Sequence, residues 1–449
     1  MKLTRFIKNQ EYYMPFNFFK TISTLSFKAI NKTVLLATII ALATNVQKGS
    51  FTRTGMPSPF QALLVVSIIL TIIYVLKSHR VKDFFDSLPR KIWFAIGGFY
   101  AATLIGWGIA IVVMDMPTTL HTILDFGTFT MGVTLLLLVA FYAKGDYIYA
   151  KWCLYASFIP NIYLVHYFLT HGLVGYWGVT NDFSLDKILD PNILSKVLLV
   201  PAIFFISLAL FALKDKKWWH VGTYMALGSA FAMSIFWTVS RGGIVSLAVG
   251  AFATWIVFSI RNFTWKKTIL SGLLVLIILS VGYVINPKGT LQAIALKATN
   301  TFTLPPTSEG RISNVTVEEI RMLPQTESRL LIWYFYPRYI LKHPFGVGPN
   351  ASQDFNFQDK NGTHIYVGPD STYLVVALWA GFLGLGIYLY IMWNAFAALW
   401  KKWKKSYDGI TLALMGILFT LLTVLFFDGN MSLYWLYIVL ALAFVKNDK

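Results

Sequence analysis

The sequence contains few charged residues and a single cysteine. Only 13% of its 449 residues are charged and 56% are hydrophobic, a balance outside the usual range of soluble globular domains. Its one cysteine, Cys153, lies inside an apolar run, which excludes both a disulfide and a cysteine-ligated metal site within one chain. The low content of charged residues and the high content of hydrophobic residues predict an integral membrane protein.

Long apolar runs make up most of the chain. Each run is long enough to cross the hydrocarbon core as a helix, which satisfies its own backbone polar groups there. We therefore predict an all-α, polytopic integral membrane protein with about twelve transmembrane helices. The predicted spans are 33–46, 59–76, 92–114, 120–142, 152–170, 194–213, 220–238, 243–260, 268–285, 371–399, 409–427 and 431–445.

The net charge of +18 is distributed in short basic clusters between the apolar runs, which indicates membrane orientation and not nucleic-acid binding. Most lysines and arginines fall on one side of the predicted spans, in 1–32, 77–91, 143–151, 214–219, 261–267, 400–408 and 446–449. This asymmetry predicts that both termini are cytoplasmic and that residues 286–370 lie outside. No cleavable signal peptide is evident in the basic N-terminal stretch.

The 286–370 segment is too long and too polar for a plain connector, and it contains four of the five glutamates of the chain. We divide the chain into helices at 1–285, this large extracytoplasmic loop with short interfacial helices at 286–370, and helices at 371–449. The loop is expected to form part of an active site. A second outer loop, 170–192, either walls that site or is a solvated connector with interfacial aromatic residues.

Arg241 is the first candidate site residue. It lies in Ser-Arg-Gly-Gly at 240–243, between two apolar runs, with no other charge from Val221 to Ile260. An arginine at a membrane edge is costly unless it snorkels or binds an anion, so it is either a boundary residue or a functional one. The two glycines that follow it predict a close approach of helices.

Arg329 begins an aromatic segment that predicts an interfacial helix. At helical spacing Trp333 and Tyr336 fall on the same face as Arg329, and this face could bind a lipid-linked anion, with guanidinium against phosphate. Arg338 follows Pro337, which we expect to interrupt the helix. Either arginine could instead pair with one of the glutamates of the loop.

Two polar sequences close the loop. His-Pro-Phe-Gly-Val-Gly-Pro-Asn at 343–350 predicts tight turns but is too irregular to indicate a phosphate loop. Asp370 opens the tenth apolar run, where a carboxylate could act as general base or simply cap the helix. His364 and Tyr366 are weaker base candidates.

Together these motifs resemble the O-antigen ligase and Wzy-type polymerase superfamily of bacterial envelope glycosyltransferases. The resemblance covers roughly His220 to Tyr390. It rests on Ser-Arg-Gly at 240–242, Glu-Ser-Arg-Leu-Leu-Ile-Trp at 327–333, the turn at 343–349, and Trp-Ala-Gly-Phe-Leu-Gly-Leu-Gly at 379–386. Each motif alone is a weak indication of this superfamily, whereas the order and spacing of all four motifs are a more specific one.

The resemblance implies transfer of a glycan from an undecaprenyl-diphosphate carrier to an acceptor sugar hydroxyl, at the outer face of the bacterial inner membrane. It implies that Arg241 and Arg329 bind the diphosphate, with Arg338 as a further contact, and that no metal or cofactor is needed. Trp333, Tyr336 and His364 complete the expected substrate-binding set. Expected partners are the lipid-linked donor, a glycan acceptor, membrane lipids and a chain-length regulator, with no nucleic acid.

The chain departs from the ligase pattern at Asp370-Ser371, where ligases typically carry a His-Asn-type pair. A carboxylate there looks more like the polymerase branch, whose acceptor is another lipid-linked repeat unit. An ordinary aspartate is a weak base, so Asp370 would need a raised pKa for this role. The alternatives are an O-antigen ligase acting on lipid A core or protein, and a lipid-linked oligosaccharide flippase or transporter, which would need charges in a central cavity.

Overall fold

The structure is a computed structural model that describes residues 27–47, 58–116, 118, 120–144, 146–171, 191–238, 240–261, 264–284, 328–349, 356–358, 364–366, 371–405, 408–427 and 434–446. The second outer loop and most of the large loop therefore lie outside the described residues. So does Asp370.

The described residues form a helical bundle. Its first helices are α1 (Phe27–Gln47), α2 (Pro59–Lys77), α3 (Val81–Phe85), α4 (Arg90–Val112), α5 (Leu120–Ala143), α6 (Tyr147–Ala156), α7 (Ile159–His171) and α8 (Pro191–Lys214). They are followed by α9 (Trp218–Trp237), α10 (Arg241–Arg261), α11 (Trp265–Val284), α12 (Ser328–Lys342), α13 (Thr372–Lys405), α14 (Gly409–Val424) and α15 (Tyr434–Lys446). Strands β1 (Asn356–Gln358) and β2 (His364–Tyr366) pair antiparallel within the large loop.

The helical class predicted from the apolar runs is confirmed. Among the described residues, six helices are long and apolar enough to cross a membrane by length and composition, namely α2, α4, α5, α8, α10 and α13. The other long helices also coincide with predicted spans to within several residues. The count of about twelve crossings stays a prediction.

One predicted span, 152–170, is wrong as a single helix, because the chain turns at Ser157–Phe158 between α6 and α7. Pro160 has no N–H to continue the helical ladder across this turn. Side chains replace the missing bonds: Ser157 Oγ donates to the Leu154 carbonyl at 2.6 Å, and Asn161 Nδ2 donates to the Ser157 carbonyl at 3.4 Å.

Helix α8 lies at the centre of the bundle and packs against α9, α10, α11 and α14. Two close contacts fix its alignment with α10: a β-carbon at Gly243 would lie 2.5 Å from Ser195 Cβ, and one at Gly250 would lie 3.0 Å from Ile203 Cδ1. Ile203 also lies against Gly416 of α14, 2.8 Å from an added β-carbon there. Thus α8 and α10 run parallel while α14 runs antiparallel to both.

The turn at 343–349 packs into a kink of α13. At Gly381 the backbone has φ 65° and ψ −165°, a conformation that only glycine adopts without strain. The Phe382 N–H donates to the Pro344 carbonyl at 3.0 Å, and the Val347 N–H donates to the Leu378 carbonyl at 2.7 Å. The turn predicted by the glycines and prolines is confirmed, and it joins two motifs that the sequence presents separately.

Helix α12 continues through Pro337 to Lys342, so the expectation that this proline interrupts the helix is wrong. A proline inside a helix removes one backbone hydrogen bond but is tolerated where neighbouring packing supports the segment. Here Tyr336 and Ile340, on either side of the proline, are both buried against the bundle.

Basic residues also cluster at the end of the bundle away from Arg241. Lys32 pairs with Asp146, and the Arg261 guanidinium donates to the Trp403 carbonyl. Lys402 is buried, with its ammonium 5.4 Å from the centre of the Tyr147 ring. This end matches the predicted cytoplasmic segments, and its cations have contacts within the fold.

Candidate functional site

Arg241 is the first residue of α10, where it is half-buried. Ser240 caps the helix: its Oγ accepts from the Gly243 N–H at 3.3 Å, and its carbonyl accepts from the Ile244 N–H at 3.0 Å. A β-carbon at Gly242 would lie 2.8 Å from Phe427 Cβ, just beyond the end of α14. The predicted close helix approach at the two glycines is therefore observed, and it places Arg241 beside Phe427.

The beginning of α13 is bound to the same end of α14. Ser371 is buried, and its Oγ donates to the Leu425 carbonyl at 3.1 Å. The Thr372 N–H donates to that carbonyl at 2.9 Å, and the Tyr373 hydroxyl donates to the Leu422 carbonyl at 2.9 Å. Because α13 occupies these carbonyl groups, the negative end of the α14 dipole is partly neutralised.

The beginning of α12 meets this end of α14 as well. The ring centre of Trp333 lies 5.8 Å from that of Phe426, and the Tyr373 ring lies 4.7 Å from Phe426 on the α13 side. Arg329, in the first turn of α12, lies about 6 Å along the helix axis from Trp333. Arg329 is therefore one helical turn before the residue of α12 that contacts Phe426.

Three segments that the sequence shows far apart therefore meet at Leu425, Phe426 and Phe427, which we call the α14 junction. Helices α10, α12 and α13 each present their N-terminal end there. Such ends carry partial positive charge, which favours an anion. Arg241 adds a full positive charge to the same place, so the junction is suited to an anionic group.

The other predicted substrate-binding residues differ in accessibility. Trp333 is 42% exposed, whereas Tyr336 is only 1% exposed and belongs to the buried core. Arg338 is exposed on α12, and His364 lies opposite Gln358 in the two-stranded ribbon. Of the two aromatic residues predicted to face a ligand, only Trp333 lies at the surface.

Sequence reasoning missed two parts of this region. Phe426 and Phe427 were assigned to an ordinary apolar run, and nothing in their local sequence distinguishes them. Lys196, in the second turn of α8, is a buried lysine within an apolar helix. A charge inside a predicted span is a signal that could have identified it.

A metal centre is not indicated by the part of the chain that the structure describes, where no three histidine, cysteine, aspartate or glutamate residues form a possible ligand group. The absence of a metal requirement stays a prediction. What the junction offers chemically is the positive charge of Arg241 together with the N-terminal ends of three helices, a combination that can bind a phosphate group directly.

Comparison with known proteins identifies the central part of the chain. Residues 223–389 match the family model described as O-antigen ligase. The matched range begins in α9, includes Arg241, α12 and the turn at 343–349, and ends within α13. No curated protein matches the chain.

Proposed function

We infer, from the match of residues 223–389 to the family model described as O-antigen ligase, that the protein is a glycan-transferring membrane enzyme of this type. From this premise we propose that the protein polymerises undecaprenyl-diphosphate-linked oligosaccharide repeat units at the outer face of the bacterial inner membrane. The observation that carries the proposal is the meeting of α10, α12 and α13 at the α14 junction, with Arg241 beside it.

The donor diphosphate binds at this junction in the proposed mechanism. Arg241 and Arg329 donate to its oxygens, and Arg338 is a further contact. Guanidinium groups suit this task because they stay charged and bind two oxygens at once. As the bond between the sugar's anomeric carbon and the phosphate oxygen breaks, its electron pair moves to the diphosphate, and the arginines stabilise the added charge.

The acceptor hydroxyl oxygen forms the new bond to the anomeric carbon and gives its proton to Asp370, the proposed general base. Asp370 directly precedes Ser371, whose buried hydroxyl is bonded to the Leu425 carbonyl. The attachment of α13 to the junction supports a base close to the donor. Trp333 supplies a partly exposed aromatic surface for the glycan or the lipid, and His364 belongs to the loop that we propose covers them.

The proposed topology has about twelve membrane crossings, cytoplasmic termini and the 286–370 segment outside. The distance between the two arginines at opposite ends of α10 supports this topology. Arg241 begins this helix and Arg261 ends it, about 30 Å apart at the rise of an α-helix. That length matches the hydrocarbon core of a bilayer.

A ligase is the second candidate, because the matching family model is described as O-antigen ligase. In that case the glycan passes to lipid A core or protein in place of another lipid-linked repeat. A flippase has less support, since the matched family is one of glycan-transferring enzymes. A chain-length regulator is a proposed partner of the polymerase alone.

The test is turnover of a defined undecaprenyl-diphosphate oligosaccharide by the purified protein in nanodiscs with a metal chelator, in the presence of lipid A core. The polymerase proposal predicts a ladder of longer lipid-linked glycans. A single modified core lipid would instead identify a ligase. Movement of intact donor across proteoliposomes without new glycosidic bonds would identify a transporter.

Substitution of Arg241 tests the proposed site in the same assay. We expect Arg241→Ala to lower the turnover rate by about 100-fold or more, as loss of a group that stabilises transition-state charge does. Arg241→Lys should recover part of the rate, because it keeps the charge but not the paired donors. Arg80→Ala, at an exposed arginine 3.9 Å from Asp83, is the control and should leave the rate unchanged. Full activity of Arg241→Ala would contradict the proposed site.

A further inference from the structure

A groove of about 550 Å³ runs between α4 and α13 on the surface of the bundle. Lys91, Phe94 and Ala95 line it from α4, and residues between Phe382 and Tyr390 line it from α13. Both helices are long and apolar enough to cross a membrane, so apolar side chains exposed between them face lipid. The lining includes no residue of the α14 junction, so the groove is a separate feature of the surface.

Small residues form the floor of the groove, and large apolar residues form its walls. Ala95 is buried, and a β-carbon added at Gly386 would meet no atom of the described residues within 4 Å. Phe94 and Leu383, by contrast, are 79% and 64% exposed. An empty groove would deprive this lining of dispersion contacts, whereas a flexible hydrocarbon chain restores them. The shape therefore fits an acyl chain that lies along the helices.

The two helices run in opposite directions along the groove. A β-carbon at Gly98 would lie 3.3 Å from Ile387 Cδ1, and one at Gly106, further along α4, would lie 2.7 Å from the Trp379 carbonyl oxygen, earlier in α13. Lys91 precedes Gly98 by two turns, so it lies toward the C-terminal half of α13. The α14 junction holds the beginning of α13. Lys91 is thus at the end of the groove farther from the junction.

Lys91 places a positive charge at this end, since it is exposed and the other lining residues are uncharged. Tyr390, 45% exposed at the same end, has the apolar ring and polar hydroxyl typical of a membrane interface. The sequence predicts that 77–91 is cytoplasmic. We propose that the groove binds an anionic phospholipid of the cytoplasmic leaflet, with one acyl chain between Phe94 and Leu383 and the phosphate at Lys91.

The charge of Lys91 favours this lipid over two other occupants. The prenyl chain of the donor also suits an apolar groove, but its diphosphate is proposed to bind at the α14 junction and would supply no anion to Lys91. A second copy of this chain would desolvate Lys91 at a cost unless it supplied a carboxylate. The inference does not depend on glycan transfer, because lipid binding is measured without donor or acceptor.

Native mass spectrometry of the full-length protein in mild detergent, titrated in parallel with phosphatidylglycerol and phosphatidylethanolamine, tests the phosphate contact. We expect the wild type to prefer phosphatidylglycerol. Lys91→Gln should reduce that preference about fivefold, the contribution of one lysine near an anionic membrane surface, and Lys91→Arg should retain it. Lys77→Gln is the control: Lys77 is also exposed on the predicted cytoplasmic side but lies outside the groove, so the preference should not change.

Filling the groove tests the acyl-chain contact in the same titrations. Gly386→Leu places a side chain in the open space beside Gly386 and should abolish tight binding of both lipids. Gly97→Leu is the matched control, because Gly97 is exposed on α4, outside the lining, and a β-carbon there would also meet no atom of the described residues within 4 Å. It should leave both lipids bound. Thermal melting without lipid shows whether each variant folds.

Several results would overturn the proposal. Unchanged phosphatidylglycerol preference in Lys91→Gln would exclude the phosphate contact; this variant changes only an exposed side chain, so it decides the matter even if Gly386→Leu does not fold. Tight phospholipid binding to a folded Gly386→Leu protein would exclude the groove as the site. Undecaprenyl-linked lipid bound there in place of phospholipid, or a dimer that Gly386→Leu dissociates, would assign the groove to another occupant. None of these results bears on the diphosphate site, which Arg241→Ala tests separately.

Discussion

The kink of α13 permits a quantitative test of how the family motifs fit together. Replacing Gly381 by alanine forces a side chain into a backbone conformation that costs roughly 1–3 kcal/mol outside glycine. The added β-carbon would also lie 2.6 Å from the Phe345 carbonyl carbon and closer still to the Pro344 oxygen. The contact is between the backbone of α13 and the backbone of the turn, so it can be relieved only if these two segments move apart.

Relief of that contact would break the two hydrogen bonds between the turn and α13, at about 1 kcal/mol each. The expected destabilisation of Gly381→Ala is therefore about 3–5 kcal/mol. Gly386, in the same helix, is the control: a β-carbon there would meet no atom within 4 Å. Gly386→Ala should be neutral or stabilising by up to about 1 kcal/mol, because alanine is the better helix former.

Thermal melting of the purified variants in detergent, followed by size-exclusion chromatography, measures this difference. Gly381→Ala should melt well below wild type and elute partly aggregated, while Gly386→Ala should melt at or above wild type. Equal melting temperatures for Gly381→Ala and wild type would refute the packing of the 343–349 turn into the kink.

Two further predictions concern the ends of the bundle. Phe426→Ala should remove the ring contacts with Trp333 and Tyr373 and lower turnover more than melting temperature; equal turnover to wild type would show that the α14 junction does not order the site. Burial raises the pKa of the Asp146 carboxyl, but the hydrogen bonds from Lys32 and the Tyr149 N–H outweigh it and hold that pKa below its usual value. Asp146→Asn should therefore lower stability at neutral pH. The difference from wild type should shrink as the pH falls below about 4, because the carboxyl group is protonated first in the unfolded chain and at lower pH in the folded protein. A difference that stays constant down to pH 2 would contradict this pairing.

The helices were predictable because apolar length is a local property of the sequence. The predicted spans at 59–76 and 194–213, for example, differ from α2 and α8 by at most three residues at either end. The errors arose where one residue changes the backbone without changing hydropathy. Pro160 allows a break inside an apolar run, and Pro337 is tolerated inside α12 because the residues around it are buried.

The site was predictable only in its parts. Arg241 and Arg329 could be singled out because charge near a membrane is costly, and the family resemblance supplied their order. The meeting of α10 and α12 near the end of α14 could not be predicted. It depends on Phe426 and Phe427, apolar residues that follow Arg241 by about 185 positions and Arg329 by about 97, and whose importance lies in what they touch.

The central claim is that the donor diphosphate binds at the α14 junction. An experimental structure of the full-length protein with undecaprenyl diphosphate bound tests it most directly. The account predicts phosphate oxygens within hydrogen-bonding distance of the Arg241 and Arg329 guanidinium groups, between the beginnings of α10 and α12. A diphosphate bound at the Arg261 end, or bound without contact to Arg241, would contradict it.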